Sequence, residues 1–238
     1  MTILWLIAAR AASESLRDRL TFLVSLLVAV VLPLGIVIVL AYFPPEPQAQ
    51  ESLQTVLTFY LVFIGMLPAM AGVGIAAGQF AGEKERGSLT PLLASPASNF
   101  SIFGGKVLGA ILPPLMYACI GESLYLVGLT LAFGPRYVGL ISLSVIIAVL
   151  LLIPTVTCLS ASVASLVSSR VRTYNSAQQI SGLLLFPVWG GMFSLVIKLQ
   201  DWGPGWLYVA IVCLVLLDFV LITLSAATWR REEVLSQR

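Results

Sequence analysis

Histidine is missing from the 238 residues, and Asp, Glu, Lys and Arg together make up only 10% of the chain, where a soluble domain carries about 25%. The first absence excludes every mechanism that needs imidazole, including proteolysis by a Ser–His pair. The second excludes a separate soluble domain, since no stretch is both long and polar enough to fold as one. Cysteine is nearly absent too. Cys119, Cys158 and Cys213 each lie in an apolar run, where a thiol behaves as a small hydrophobe, so no disulfide framework is implied. No cluster of metal-ligand spacing occurs, and no catalytic set, resident cofactor or nucleic-acid partner is expected. Gly104-Gly105-Lys106 has the look of a phosphate loop, but Val107 stands where Ser or Thr is required and Phe100 where the first Gly belongs, so the chain does not bind ATP that way.

What the chain has in abundance is apolar length. Hydrophobic residues make up 59%, mean hydropathy is +1.01, and 238 residues accommodate about six helical spans of ~20 residues. The expected fold is all-α: one polytopic membrane domain over residues 1–238, with spans at 21–43, 53–80, 107–133, 137–167, 176–197 and 206–228. Residues 1–20 alternate an apolar block with a charged one, as suits a helix lying in the membrane interface with Trp5 at headgroup depth and Arg10 and Glu14 paired one turn apart. Prolines fall inside several spans (Pro33, Pro68, Pro113, Pro114, Pro154, Pro187) and are expected to bend them. Pro187 with Gly190-Gly191 allows a break and a re-entrant outer part in the fifth span. Trp202, Trp206 and Tyr208 form an expected aromatic belt around the Gly203-Pro204-Gly205 turn.

The few charges are unevenly placed. If the spans alternate, Arg10, Arg17, Arg19, Lys84, Arg86, Lys106, Arg170, Arg172, Arg230, Arg231 and Arg238 fall on one side, and only Arg136 and Lys198 on the other. The positive-inside bias then puts both termini in the cytosol and the protein in the cytoplasmic membrane. It also puts there the mixed-charge interruption Gly82 to Lys106, where Glu83, Lys84, Glu85 and Arg86 precede an apolar patch of Leu89, Leu92 and Leu93. A short helix of that kind fits a groove on a cytosolic partner, the apolar side giving grip and the charges register. Gly74, Gly78 and Gly82, at four-residue spacing, make a groove where another helix can approach. Two acids fall near the middle of spans, Glu122 and Asp218. Each costs about 2.5–3.5 kcal/mol at a helix centre, so both are expected to face the bundle interior, a water-filled path or a partner.

The run Ala81-Gly-Glu-Lys-Glu-Arg-Gly-Ser-Leu-Thr-Pro-Leu-Leu-Ala-Ser-Pro96, followed by Gly105-Lys106, resembles the cytosolic loop after the second span in ABC transporter permeases of the type-2 exporter superfamily. That loop usually reads Gly-Glu-Lys-Glu-Arg-Gly-Thr-Leu-Glu-x-Leu-Leu-x-Ser-Pro. The resemblance implies an exporter permease, not itself an enzyme. Its implied partners are a second permease, in a homo- or heterodimer, and two copies of a cytosolic ATPase subunit that binds ATP and Mg. Residues 83–95 would be the coupling helix seated in the ATPase, and the N-terminal helix would lie at the surface nearby. Thr90 and Pro91 replace helix-favouring residues of the usual loop, which would start the coupling helix at a Thr90 cap. The segment between the fifth and sixth spans is short for the re-entrant pair of relatives, and the extracellular domain of sodium-efflux permeases is missing. Rival readings are a haem-linked permease of cytochrome c maturation, a channel needing no ATPase, and an intramembrane enzyme.

Overall fold

The computed structural model describes residues 2–43, 50–87, 98–171 and 173–228, and within them every regular element is helical. The elements in order are α1 (Thr2–Arg17), α2 (Arg19–Tyr42), α3 (Gln50–Ala77), a π-helical turn (Gly78–Gly82) and the single turn α4 (Glu83–Glu85). After the hydrophilic segment come α5 (Asn99–Phe133), α6 (Pro135–Leu140), α7 (Leu143–Arg170), α8 (Tyr174–Ile197), α9 (Leu199–Trp202) and α10 (Gly205–Thr228). Six of these stretches are long and apolar enough to cross a membrane: α2, residues Leu53–Glu85, residues Ser101–Phe133, α7, α8 and Gly205–Ser225. Hydrocarbon offers the backbone no partners, so helices that satisfy their own N–H and C=O groups are the economical solution for such runs.

The spans divide into inner and outer. α3 and α7 bury about half of their apolar windows, whereas α2, α8 and α10 bury 22% each. α3 packs against both α5 and α7, with α2 against α5, α10 against α7 and α8 against α3 and α7. Composition explains why α7 can sit centrally. Its buried face carries Ser160, Ala161, Ser162, Ala164, Ser165 and Ser168, small enough for close helix approach. Several of its hydroxyls return their protons to the preceding turn, as in Thr157 to Ile153 O and Ser160 to Val156 O, so they bury without unmet donors. Tyr125, fully buried on α5, donates to Leu57 O of α3 at 3.1 Å. Phe59 and Phe63 of α3 meet Phe193 of α8 at ring-centroid distances of 5.4 and 5.8 Å.

Several boundaries differ from the sequence expectation. The fourth span does not begin at Tyr137. Gly134, at φ +84°, ends α5, and a separate short helix α6 precedes α7, whose N-cap is Ser142. α8 runs unbroken through Pro187 and Gly190-Gly191 to Ile197, so no re-entrant break occurs within it. The turn after it uses Gly203 at φ +76°, a left-handed conformation that favours glycine. Trp202 and Trp206 are about half exposed there, 5.6 Å apart. Tyr208 departs from the expected belt: it turns inward and donates to Ser144 O of α7 at 2.7 Å.

Candidate functional site

At the end of the bundle where α3 runs into the hydrophilic segment, three elements converge on one ammonium. Lys106, about two turns into α5, is only 3% exposed. A lysine desolvated to that degree costs several kcal/mol unless it is matched. Here its Nζ donates to Glu83 Oε2 at 2.5 Å and to the Gln79 carbonyl at 2.6 Å, and lies 5.4 Å from the Phe80 ring centroid. The Gln79 and Phe80 contributions come from the π-helical turn, in which the Glu83 N–H reaches back to Gly78 O. Such a widened turn is a frequent mark of a functional position in a helix. Gln79 also donates from Nε2 to Ala11 O of α1 at 3.2 Å.

α1 completes the knot. Ala8, Ala11 and Ala12 form its buried face, and α5 presents Gly105 and Gly109 to them. A Cβ on Gly105 would stand 2.8 Å from Leu4 O and Ile7 Cβ, and one on Gly109 would stand 2.5 Å from Ala11 Cβ. Only glycine permits that approach. Gly105, set aside in the sequence as part of a failed phosphate loop, forms with Gly109 the seat of the N-terminal helix. The legible signal was four-residue spacing of small residues on both partners, Ala8 with Ala12 and Gly105 with Gly109. The opposite face of α1 leaves Ile3, Trp5 and Leu6 exposed. On its polar side Arg10 Nε donates to Glu14 Oε1 at 2.7 Å, and this carboxylate raises the guanidinium pKa above its ordinary value.

The predicted hydrophilic-segment residues therefore separate. Glu83 is committed inward to Lys106. Lys84 is half-buried, while Glu85 and Arg86 are exposed, and Glu85 Oε2 accepts from the Tyr174 N–H of α8 at 3.2 Å. Leu89, Leu92, Leu93 and the Thr90-Pro91 cap lie outside the described residues, as does the Trp229-Arg230-Arg231 run. Of the three glycines expected to line a helix groove, Gly74 and Gly78 face Tyr174 and Gln178 of α8, a Cβ on Gly74 meeting both at 3.4 Å. Gly82 faces no other helix that closely; it belongs to the π-helical turn.

Glu122 and Asp218 are buried, 5% and 6% exposed, but the fold does not bring them to a common site. Glu122 of α5 is lodged against α3 and α7: a Cβ on Gly65 would stand 2.5 Å from its Oε1 and 2.9 Å from Ile153. It borders a cavity of about 140 Å³ with Ser123 and Cys119, to which α10 contributes nothing. Asp218 of α10 instead interacts with Cys158 of α7, itself beside Ser162. One oxygen of each carboxyl, Glu122 Oε1 and Asp218 Oδ1, has no hydrogen-bond partner among the described residues. An acid so placed is accommodated by holding its proton or by a partner from outside. An acid–base pair of the two is not what this arrangement offers, and among the described residues no three of His, Cys, Asp and Glu stand together to hold a metal.

Six apolar helices, a central pair rich in small residues and a charged knot at one end define a multi-pass membrane protein of the permease kind. The sequence matches the family described as ABC-2 family transporter protein over residues 5–201, and the chain belongs to that family: it is a membrane permease subunit of an ABC transporter. No curated protein was found to match it.

Proposed function

We propose that the chain is the permease of an ATP-driven exporter in the cytoplasmic membrane, both termini in the cytosol. It pairs with a second permease, identical or related, and with two ATPase subunits that bind ATP and Mg. The 83–95 segment couples them: Lys84 and Glu85 with Leu89, Leu92 and Leu93 meet the ATPase, Arg86 lines a cavity behind them, and Glu83 fastens that contact to the permease. The observation carrying this reading is the Lys106–Glu83 pair at 2.5 Å. It joins the end of the second span to the start of the third, the two flanks of the hydrophilic segment, and Gly105 seats α1 in the next residue. A push on the segment is then delivered to α3, α5 and α1 together instead of being lost in a loose connection. Closure of the ATPase pair on ATP shifts the two permeases only if one arrangement is bound better than the other, and a stiff link is what converts that difference into helix movement. Gly74 and Gly78, against α8, give the second and fifth spans a seam along which to move. Glu122 and Asp218 lie on the substrate path as hydrogen-bonding positions for cargo.

The test is reconstitution with the cognate ATPase. Lys84→Ala with Glu85→Ala is expected to leave ATP hydrolysis within twofold of wild type, a change of under about 0.5 kcal/mol, and to abolish cargo movement. A cysteine in place of Leu92 is expected to cross-link to the ATPase. Full transport by the double variant together with no cross-link would remove the coupling role.

A further inference from the structure

Beside the charged knot lies a cavity of about 600 Å³ bounded by the end of α1, the start of α2, the α3–π-turn region and the start of α8. Its charged lining is divided. Glu14 is already bound to Arg10 and Glu83 to Lys106. Asp18 and Arg86 remain, and neither forms an ion pair among the described residues; the Asp18 carboxylate accepts from the Thr21 hydroxyl at 2.6 Å. Tyr174 also lines the cavity, within the field of Asp18. On the wall stands Gln79, 7% exposed, whose Oε1 has no donor among the described residues. The remaining wall is apolar and continuous with the bare flank of the bundle, through Val24 and Met70, both more than half exposed.

One carboxylate, one guanidinium and one unmet amide oxygen, above an apolar slope, make a complementary seat for one kind of ligand. We infer that this cavity binds the head of a zwitterionic amphiphile, with its amine at Asp18 and the Gln79 amide oxygen, its acidic group at Arg86, and its chain along Val24 and Met70. A purely cationic head would leave Arg86 facing like charge, and a purely anionic one would face Asp18. Each mismatch removes a charge-assisted contact and adds repulsion. The same head chemistry belongs to an aminophospholipid of the bilayer and to a water-borne zwitterionic amphiphile. This inference rests on the permease reading for its meaning, since it names the class of molecule the protein recognises before moving it.

The experiment needs no ATPase. The full chain is placed in phosphatidylglycerol nanodiscs with a trace of phosphatidylethanolamine carrying a diazirine on its acyl chain, and cross-linked peptides are mapped. Label is expected on the segments around Val24 and Met70. Asp18→Asn and Arg86→Gln are each expected to reduce it about five- to tenfold, the loss of one charged contact, with labelling of the bare α10 face near Phe219 unchanged as the control for folding. Val24→Trp, which blocks the apolar slope and keeps both charges, is expected to reduce it too. Lysophosphatidylethanolamine should compete about tenfold better than dodecylamine or lysophosphatidylglycerol. Competition by lysophosphatidylethanolamine added from water assigns the site to free amphiphiles as well as bilayer lipid; competition by the diacyl lipid alone assigns it to bilayer lipid. Label unaffected by either charge variant, or dodecylamine competing equally, overturns the proposal. Either result leaves the permease reading intact, whereas failure of the Leu92 cross-link and of uncoupling would remove that reading and leave the binding site standing.

Discussion

Lys106 and Asp218 are both ionisable residues taken almost wholly out of water, 3% and 6% exposed, yet their surroundings are opposites. The lysine meets a carboxylate of α4 and a backbone carbonyl and an aromatic face of the π-helical turn. The aspartate has a thiol neighbour and an oxygen that finds no donor among the described residues. A buried charge with its complement supplied acts as a fastening, because separating the pair strands both partners. A buried acid left incomplete implies something else in the working protein, a proton or a visiting donor. Glu122 falls on the second side of this division, wedged at Gly65 with one oxygen unmatched.

The comparison breaks first at the lysine. Lys106→Met leaves Glu83 and the Gln79 carbonyl without their donor and is expected to cost about 3–5 kcal/mol of stability, read from the denaturation midpoint of the purified protein. Adding Glu83→Gln should restore much of that loss; a double variant no better than the single one would mean that the pair is not the fastening. The next effect is smaller. Gly65→Ala drives a methyl into the Glu122 carboxyl and Ile153, for about 1–3 kcal/mol, and Glu122→Ser in the same chain should relieve part of it. An equal penalty in both backgrounds would place the strain on Ile153 instead.

Asp218→Asn keeps the shape and removes the acid, so stability should move by less than about 1 kcal/mol, while transport falls severalfold. Normal transport by this variant would reduce the aspartate to a packing residue. The smallest change belongs to the exposed pair on α1: Arg10→Ala should cost under about 0.5 kcal/mol, an effect that added salt erases. A larger loss would show α1 held by charge rather than by its seat on Gly105 and Gly109.

The parts of this molecule legible in its sequence are those encoded by near neighbours along the chain. Twenty apolar residues in a row imply a span wherever they occur, and Arg10 with Glu14 implies a contact because four residues make about one helical turn. The same locality made the hydrophilic segment after α3 conspicuous. Residues that meet across the fold were not legible. Nothing near Glu83 announces that it turns inward to a lysine 23 positions away, and Tyr208 reads as one more interfacial aromatic until α7 supplies the Ser144 carbonyl. Gly105 and Gly109 were visible as glycines but not as a seat, because the helix that occupies it is the first in the chain.

By itself, then, the sequence determined the all-helical membrane fold, the six apolar spans and the conspicuous polar break, since hydrocarbon imposes those on any chain of this pattern. Tertiary structure decided which buried charge is complete and which is not, where the N-terminal helix rests, and that a cavity opens between the starts of α2 and α8. Those depend on distances between segments far apart in sequence, and such distances are set only when all the helices are packed at once.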